Sequence, residues 1–213
     1  MARTHLVWDW NGTLLDDLSL VVEATNRAFA AVGGRSVDSD EHRRTFRRPV
    51  AEFYAEILER AVDAEEFGRL DRIFHDAYRL GLTTTTLAAD AMHALKSWTG
   101  SQSLLSMWFH SELVPAVDTY GLTGVFTRVD GLRTEIGGDL KAGHLARHLD
   151  ELGVPGDRAV LIGDSLDDAL AAESVGAAAV LYTGGFTHPT RLRASGRPVA
   201  DTLVEAVRVA RSL

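Results

Sequence analysis

Apolar and polar positions follow two different periods along this chain, and the change of period separates two kinds of unit. Leu6, Val7 and Trp8 form an apolar run that reads as a buried strand, and it delivers Asp9 into a turn made by Asn11, Gly12 and Thr13. Asn-Gly is also the strongest two-residue hairpin signal. A hairpin needs alternating strands on both sides, however, and from Leu14 onward the pattern becomes helical. Four further apolar runs predict strands at 103–107, 125–129, 159–162 and 177–182. Helical segments at 88–98, 111–120, 144–152 and 168–175 separate most of them. Strands alternating with helices of this length predict an α/β fold, a parallel sheet covered on both faces.

The interval from Asp16 to Thr86 carries no strand pattern. Leu18, Val21, Val22, Thr25, Ala28, Phe29 and Val32 share one helical face, started by Asp16 or Asp17 and stopped by Gly33 and Gly34. Val50, Phe53, Tyr54, Ile57, Leu58, Ala61 and Val62 repeat the spacing, as do Phe67, Leu70, Phe74 and Ala77. A short helix is predicted over 40–46. The reading is a small all-helical insertion at 16–85 within a core built from 1–15 and 86–213. Thr83 to Thr86 is a polar hinge back into the sheet.

Composition narrows the function. With 213 residues the chain can bury a full core, and 46% hydrophobic with 24% charged residues is ordinary for a soluble globular protein. A formal charge of −8 argues against a nucleic-acid partner. The absence of cysteine excludes disulfides, thiolate zinc sites and cysteine nucleophiles. No run has the length of a membrane span and no signal-peptide pattern precedes the first strand, so a cytoplasmic location is expected.

A second strand end is acidic. The run ending at Ile162 meets Gly163 and Asp164, with Ser165, Asp167 and Asp168 opening the next helix. Helix capping by Asp164 or Ser165 accounts for one of these residues but not for the cluster. Two carboxylate-bearing strand ends can share a hard divalent cation. Between them lie Ser106, at the end of the second strand, and Lys141, one of only two lysines in the chain. Carboxylate, hydroxyl, ammonium and carboxylate form a phosphate-handling set: a nucleophile, donors for the phosphoryl oxygens, and positive charge. His144 and His148 share a helix face without a companion Glu, and read as a solvated face rather than a zinc site.

On these residues the chain resembles the haloacid dehalogenase superfamily of phosphohydrolases, in the branch with a helical cap after the first motif. The pattern D-x-D-G-T-L-x-D matches Asp9, Gly12, Thr13, Leu14 and Asp16. Ser106 matches the second motif and Lys141 the third, with Ala142 where a proline often stands. Gly163, Asp164, Ser165 and Asp168 match G-D-S-x-x-D. The resemblance implies a Rossmann-like, doubly wound core with a helical cap domain, and a Mg²⁺-dependent phosphatase similar to phosphoglycolate phosphatase. Asp9 would be the nucleophile and a metal ligand, with Asn11 and Asp164 the other ligands and Asp168 behind them. Ser106 and Lys141 would hold the phosphoryl group. Arg47 and Arg48 in the cap would select an anionic, small phosphorylated metabolite, and the enzyme would be a monomer or homodimer.

Asn11 departs from the pattern. It replaces the aspartate that, in the family, protonates the leaving group and activates water, a contribution of ~10²–10⁴ in rate. Its backbone carbonyl can still ligate metal. A phosphonatase would need a cap lysine, and none occurs between Asp16 and Thr86. The Asp164 cluster argues against a metal-free dehalogenase. A phosphate-ligand binding or regulatory protein with little turnover is the alternative.

Overall fold

The computed structural model describes residues 3–133 and 140–213. Strand β1 (His5–Trp8) is buried along its whole length, which explains why it reads as continuous apolar sequence rather than alternation. It pairs in parallel with β4 (Ser101–Phe109) on one side and β6 (Ala159–Gly163) on the other. β5 (Val129–Leu132), β7 (Ala178–Tyr182) and β8 (Val199–Ala200) complete a parallel sheet of order β5-β4-β1-β6-β7-β8. The chain runs outward from β1 in both directions, so the strand order reverses there. In open α/β sheets the carboxyl ends of the strands at such a reversal form the ligand crevice.

Successive residues of β1 point to opposite faces. Leu6 and Trp8 pack with α5 (Ala91–Ser97), α6 (His110–Thr119) and α10 (Leu203–Ala210). Val7 packs with α7 (Ala142–Leu152) and α8 (Leu166–Ser174) on the other face. A short helix, α9 (Pro189–Ala194), precedes β8.

Four helices fill the interval after β1: α1 (Leu18–Ala30), α2 (Ser39–Thr45), α3 (Val50–Ile57) and α4 (Ala64–Gly81). α1, α3 and α4 share a core around Phe29, Phe53, Tyr54, Ile57 and Leu70, and His42 of α2 packs edge-on to Phe53. After α1, Gly33 takes φ +71° and the Gly34 N–H closes on the Phe29 carbonyl, the left-handed stop expected of that pair. At the base of the insertion, β2 (Leu15–Asp16) pairs antiparallel with β3 (Thr86–Leu87), so the polar hinge ends in a two-stranded ribbon.

Three readings need correction. The strand expected at 125–129 begins only at Val129, because Gly124, at φ +82°, holds Val125 in a turn closed on the Leu122 carbonyl. Asp17 precedes α1 but does not cap it, since its carboxylate is used elsewhere. His148 is buried rather than solvated, bonded to Asp130 and Ser103.

Candidate active site

Asp9, Ser106 and Asp164 come together at the carboxyl edge of β1, β4 and β6. Asp9 follows β1, its N–H held by the Ile162 carbonyl at 2.9 Å. Gly12 turns the chain at φ +71°, where a side chain would meet the Asp164 carboxylate. Ser165 rather than Asp164 caps α8, in a reciprocal pair with Asp168. Asp164 is thereby left for the site, and its Oδ2 accepts the Phe186 N–H at 2.5 Å. Lys141 opens α7, with its backbone N–H bonded to Asp167. Its ammonium bridges Asp9 Oδ1, at 2.5 Å, and Asp168. Thr13 Oγ1 lies 3.4 Å from both Asp9 Oδ2 and Asp164 Oδ1.

All four ionisable groups are buried. Burial raises Asp9 to about 6 against the pull of Lys141. Burial, together with the charges of Asp9 and Asp168, raises Asp164 well above the carboxylate range. For Asp168 burial pushes upward too, but Lys141 and Ser165 hold it below its ordinary value. Burial works against the Lys141 charge, yet Asp168 and Asp9 keep it firmly protonated. Carboxylate oxygens of Asp9, Asp164 and Asp168 lie within 4.8 Å of one another. Three carboxylates against one ammonium leave an excess of negative charge with oxygen donors only. A hard divalent cation fits that donor set.

Asn11 is fully engaged. Its Nδ2 donates to Asp17 Oδ2 at 2.9 Å and to the Tyr78 hydroxyl at 2.8 Å, while its Oδ1 accepts from Ser106 at 3.1 Å. The carboxylate of Asp17 can only accept, which fixes the amide this way round. Tyr78, from α4, also donates to Asp17 at 2.6 Å, and the Gly12 N–H donates to the other Asp17 oxygen at 2.7 Å. Burial raises Asp17 to about 6. Both amide hydrogens of Asn11 are committed, so a role as hydrogen-bond donor to a substrate requires this network to open.

A cavity of about 110 Å³ rises from Asp9, Asn11, Lys141 and Asp164 into the helical insertion. Arg48 lines it. Arg47 does not: it pairs with Glu52 and Glu56 along α3. Sequence reasoning missed Asp17 and Tyr78. Tyr78 lies four residues beyond Phe74, on the same helix face, and that spacing was the available signal.

A strand-end aspartate, a bridging lysine and a capped acidic strand end, in this order on this sheet, form the core of one enzyme family. The haloacid dehalogenase-like hydrolase family model matches residues 4–176. The chain belongs to that family. The hydrolase is also similar to phosphoglycolate phosphatase of Mesorhizobium japonicum, at 25% identity over 194 residues covering 88% of this chain and 86% of that protein. The fold of this hydrolase matches that of a predicted phosphatase from Clostridium acetobutylicum, with TM-score 0.88, 15% identity and full coverage of both chains. It also matches a predicted phosphoglycolate phosphatase from Haemophilus somnus, with TM-score 0.75, 18% identity and 97% coverage of each.

Proposed function

We propose that this hydrolase is a Mg²⁺-dependent phosphatase of a small phosphomonoester, similar to phosphoglycolate phosphatase and acting in the cytoplasm. Residues 16–85 serve as its cap domain over a core of 1–15 and 86–213. The observation that carries the reading is the Lys141 bridge between Asp9 and Asp168 beside Asp164. Lys141 occupies Asp9 Oδ1, which leaves Oδ2 to attack phosphorus. A P–O bond to Asp9 forms as the bond to the leaving oxygen breaks, giving an aspartyl-phosphate and an alkoxide. Lys141 would hold a phosphoryl oxygen, and Ser106 would hold another once its hydroxyl turns from Asn11 Oδ1 to the substrate. Water then attacks the aspartyl-phosphate, releasing phosphate and restoring Asp9. Asp9, Asp164 and the Asn11 carbonyl would hold Mg²⁺, with Asp168 behind them, and the ion would supply charge neutralisation.

Asn11 has no proton to give, so the alkoxide must be protonated from elsewhere, and good leaving groups should react fastest. The purified protein should release phosphate from 4-nitrophenyl phosphate with Mg²⁺, and Asp9→Ala should abolish release. Activity that survives this change removes Asp9 from the mechanism. The engaged Asn11 amide favours a second reading, a phosphate-ligand binding or regulatory protein. In that case calorimetry shows Mg²⁺-dependent ligand binding and a broad panel of esters shows no turnover.

A further inference from the structure

Above the carboxylates the cavity changes character. Phe46, Phe53, Tyr54, Phe74, Trp108 and Phe186 wall it. His42 is fully buried in this box, stacked on Phe46 at 5.2 Å and edge-on to Phe53 at 5.1 Å, between ring centroids. Neither of its ring nitrogens has a hydrogen-bond partner among the described residues, and the same is true of Trp108 Nε1 and His75 Nδ1, which line the same space. Burial lowers His42 to about 4, so its ring is neutral and offers one N–H and one lone pair. Buried polar atoms without partners are rare in folded proteins. Several of them set in an aromatic wall beside a reactive centre have the make-up of a ligand pocket.

We propose that this chamber takes the leaving group of the phosphate ester, and that the leaving group is an uncharged, aromatic alcohol carrying a distal hydroxyl or amide. The proposal rests on the phosphatase reading and names its substrate class. Trp108 can only donate. The neutral ring of His42 keeps one lone pair, which only a donor can satisfy. A group that satisfies both must accept and donate, as a hydroxyl or amide does and a carboxylate does not. Charge points the same way. Burial and Asp168 raise Asp167 against the opposing charge of Arg48, so Arg48 already lies near one carboxyl group, and Asp71 adds another to the wall. A second anion gains little there.

The test uses the full chain with Mg²⁺ and three esters: 2-(4-hydroxyphenyl)ethyl phosphate, 2-phenylethyl phosphate and phosphoglycolate. The first two differ only at a position remote from the scissile oxygen. Phosphate release gives kcat/KM, and calorimetry gives Kd. The hydroxyphenyl ester should exceed phosphoglycolate by at least roughly tenfold and the phenyl ester by about three- to tenfold, the scale of one hydrogen bond. In His42→Phe, which keeps the ring and removes both nitrogens, the ratio of the two aryl esters should fall to about one. A preference for phosphoglycolate, or an unchanged ratio in the variant, overturns the proposal. Trp108→Phe gives the same readout if His42→Phe does not fold by thermal melting. If no ester is hydrolysed, the phosphatase reading fails and the Kd values decide the chamber alone. The same ranking supports it, and a flat ranking overturns it.

Discussion

Acid should destabilise this protein through a histidine at the opposite end of β1 from the site. His5 is 1% exposed, with Nδ1 2.7 Å from Ser101 Oγ and Nε2 2.8 Å from Ser103 Oγ. Ser103 Oγ also meets His148 Nε2 at 2.8 Å, and His148 Nδ1 meets Asp130 Oδ2 at 2.7 Å. Asp130 accepts from His148, so Ser103 donates to His148, His5 donates to Ser103 and Ser101 donates to His5. Every contact is satisfied with both rings neutral. Burial, reinforced by His148, lowers His5 to about 4. An unfolded histidine titrates near ~6.5, so as pH falls the unfolded chain takes up a proton before the folded one does. The stability is complete above the unfolded value and is lost as pH falls toward the folded one. At pH 5 the linkage amounts to about 2 kcal/mol, or roughly 4–8 °C in Tm for a domain of this size. His5→Val suits a buried strand and removes the titration. Melting curves of both proteins between pH 7.5 and 5 provide the assay, and the wild type should fall by that much more than the variant. His42, also lowered to about 4, contributes a similar slope to both proteins and cancels in the comparison. Parallel curves would refute the reasoning.

Three further expectations concern the site. Tyr78→Phe removes the hydroxyl shared by Asn11 and Asp17, and should lower stability by about 1–3 kcal/mol, with kcat falling more than KM; calorimetric melting and steady-state kinetics check both. Asn11→Asp should raise kcat on alkyl phosphates at least roughly tenfold by supplying an acid while lowering Tm, because the new carboxylate faces Asp17. Adding Asp17→Asn should recover Tm, and a kcat no higher than that of the wild type would remove Asn11 as the limiting residue. Gly185→Ala would place a Cβ 2.2 Å from both Asp164 Oδ2 and the Gly12 carbonyl, so phosphate release should drop by at least about tenfold. Full activity in that variant would show that the turn yields freely.

The sheet and its acidic edge were legible because β1 and β6 are central strands whose burial leaves apolar runs ending in Asp9 and Asp164. β5 was misplaced because a sheet edge needs little apolar sequence: Val129, Asp130 and Gly131 are only half-buried. β8 has two residues and no readable period. α10 carries a readable helical period, with Leu203, Ala206, Val207 and Ala210 on one buried face. Within the site, the motif residues stood in the sequence by type and order. Asp16 or Asp17 reads as the start of α1 because an aspartate before an apolar helix is usually a cap. Only the folded chain shows the two oxygens of Asp17 occupied by Gly12, Asn11 and Tyr78. His42 and the chamber around it depend on contacts between distant segments, which no local period reports.

The ribbon at Leu15–Asp16 and Thr86–Leu87 bears on how such a protein can change over generations. Entry and exit of the insertion lie side by side, so a different set of helices could be exchanged there without altering the register of any strand in the sheet. The exchange would not be wholly free. Tyr78, near the far end of the insertion, supplies a hydroxyl to Asp17 and Asn11 beneath it. Any incoming segment inherits that demand, and the junction thereby limits which recognition surfaces this catalytic base can accept.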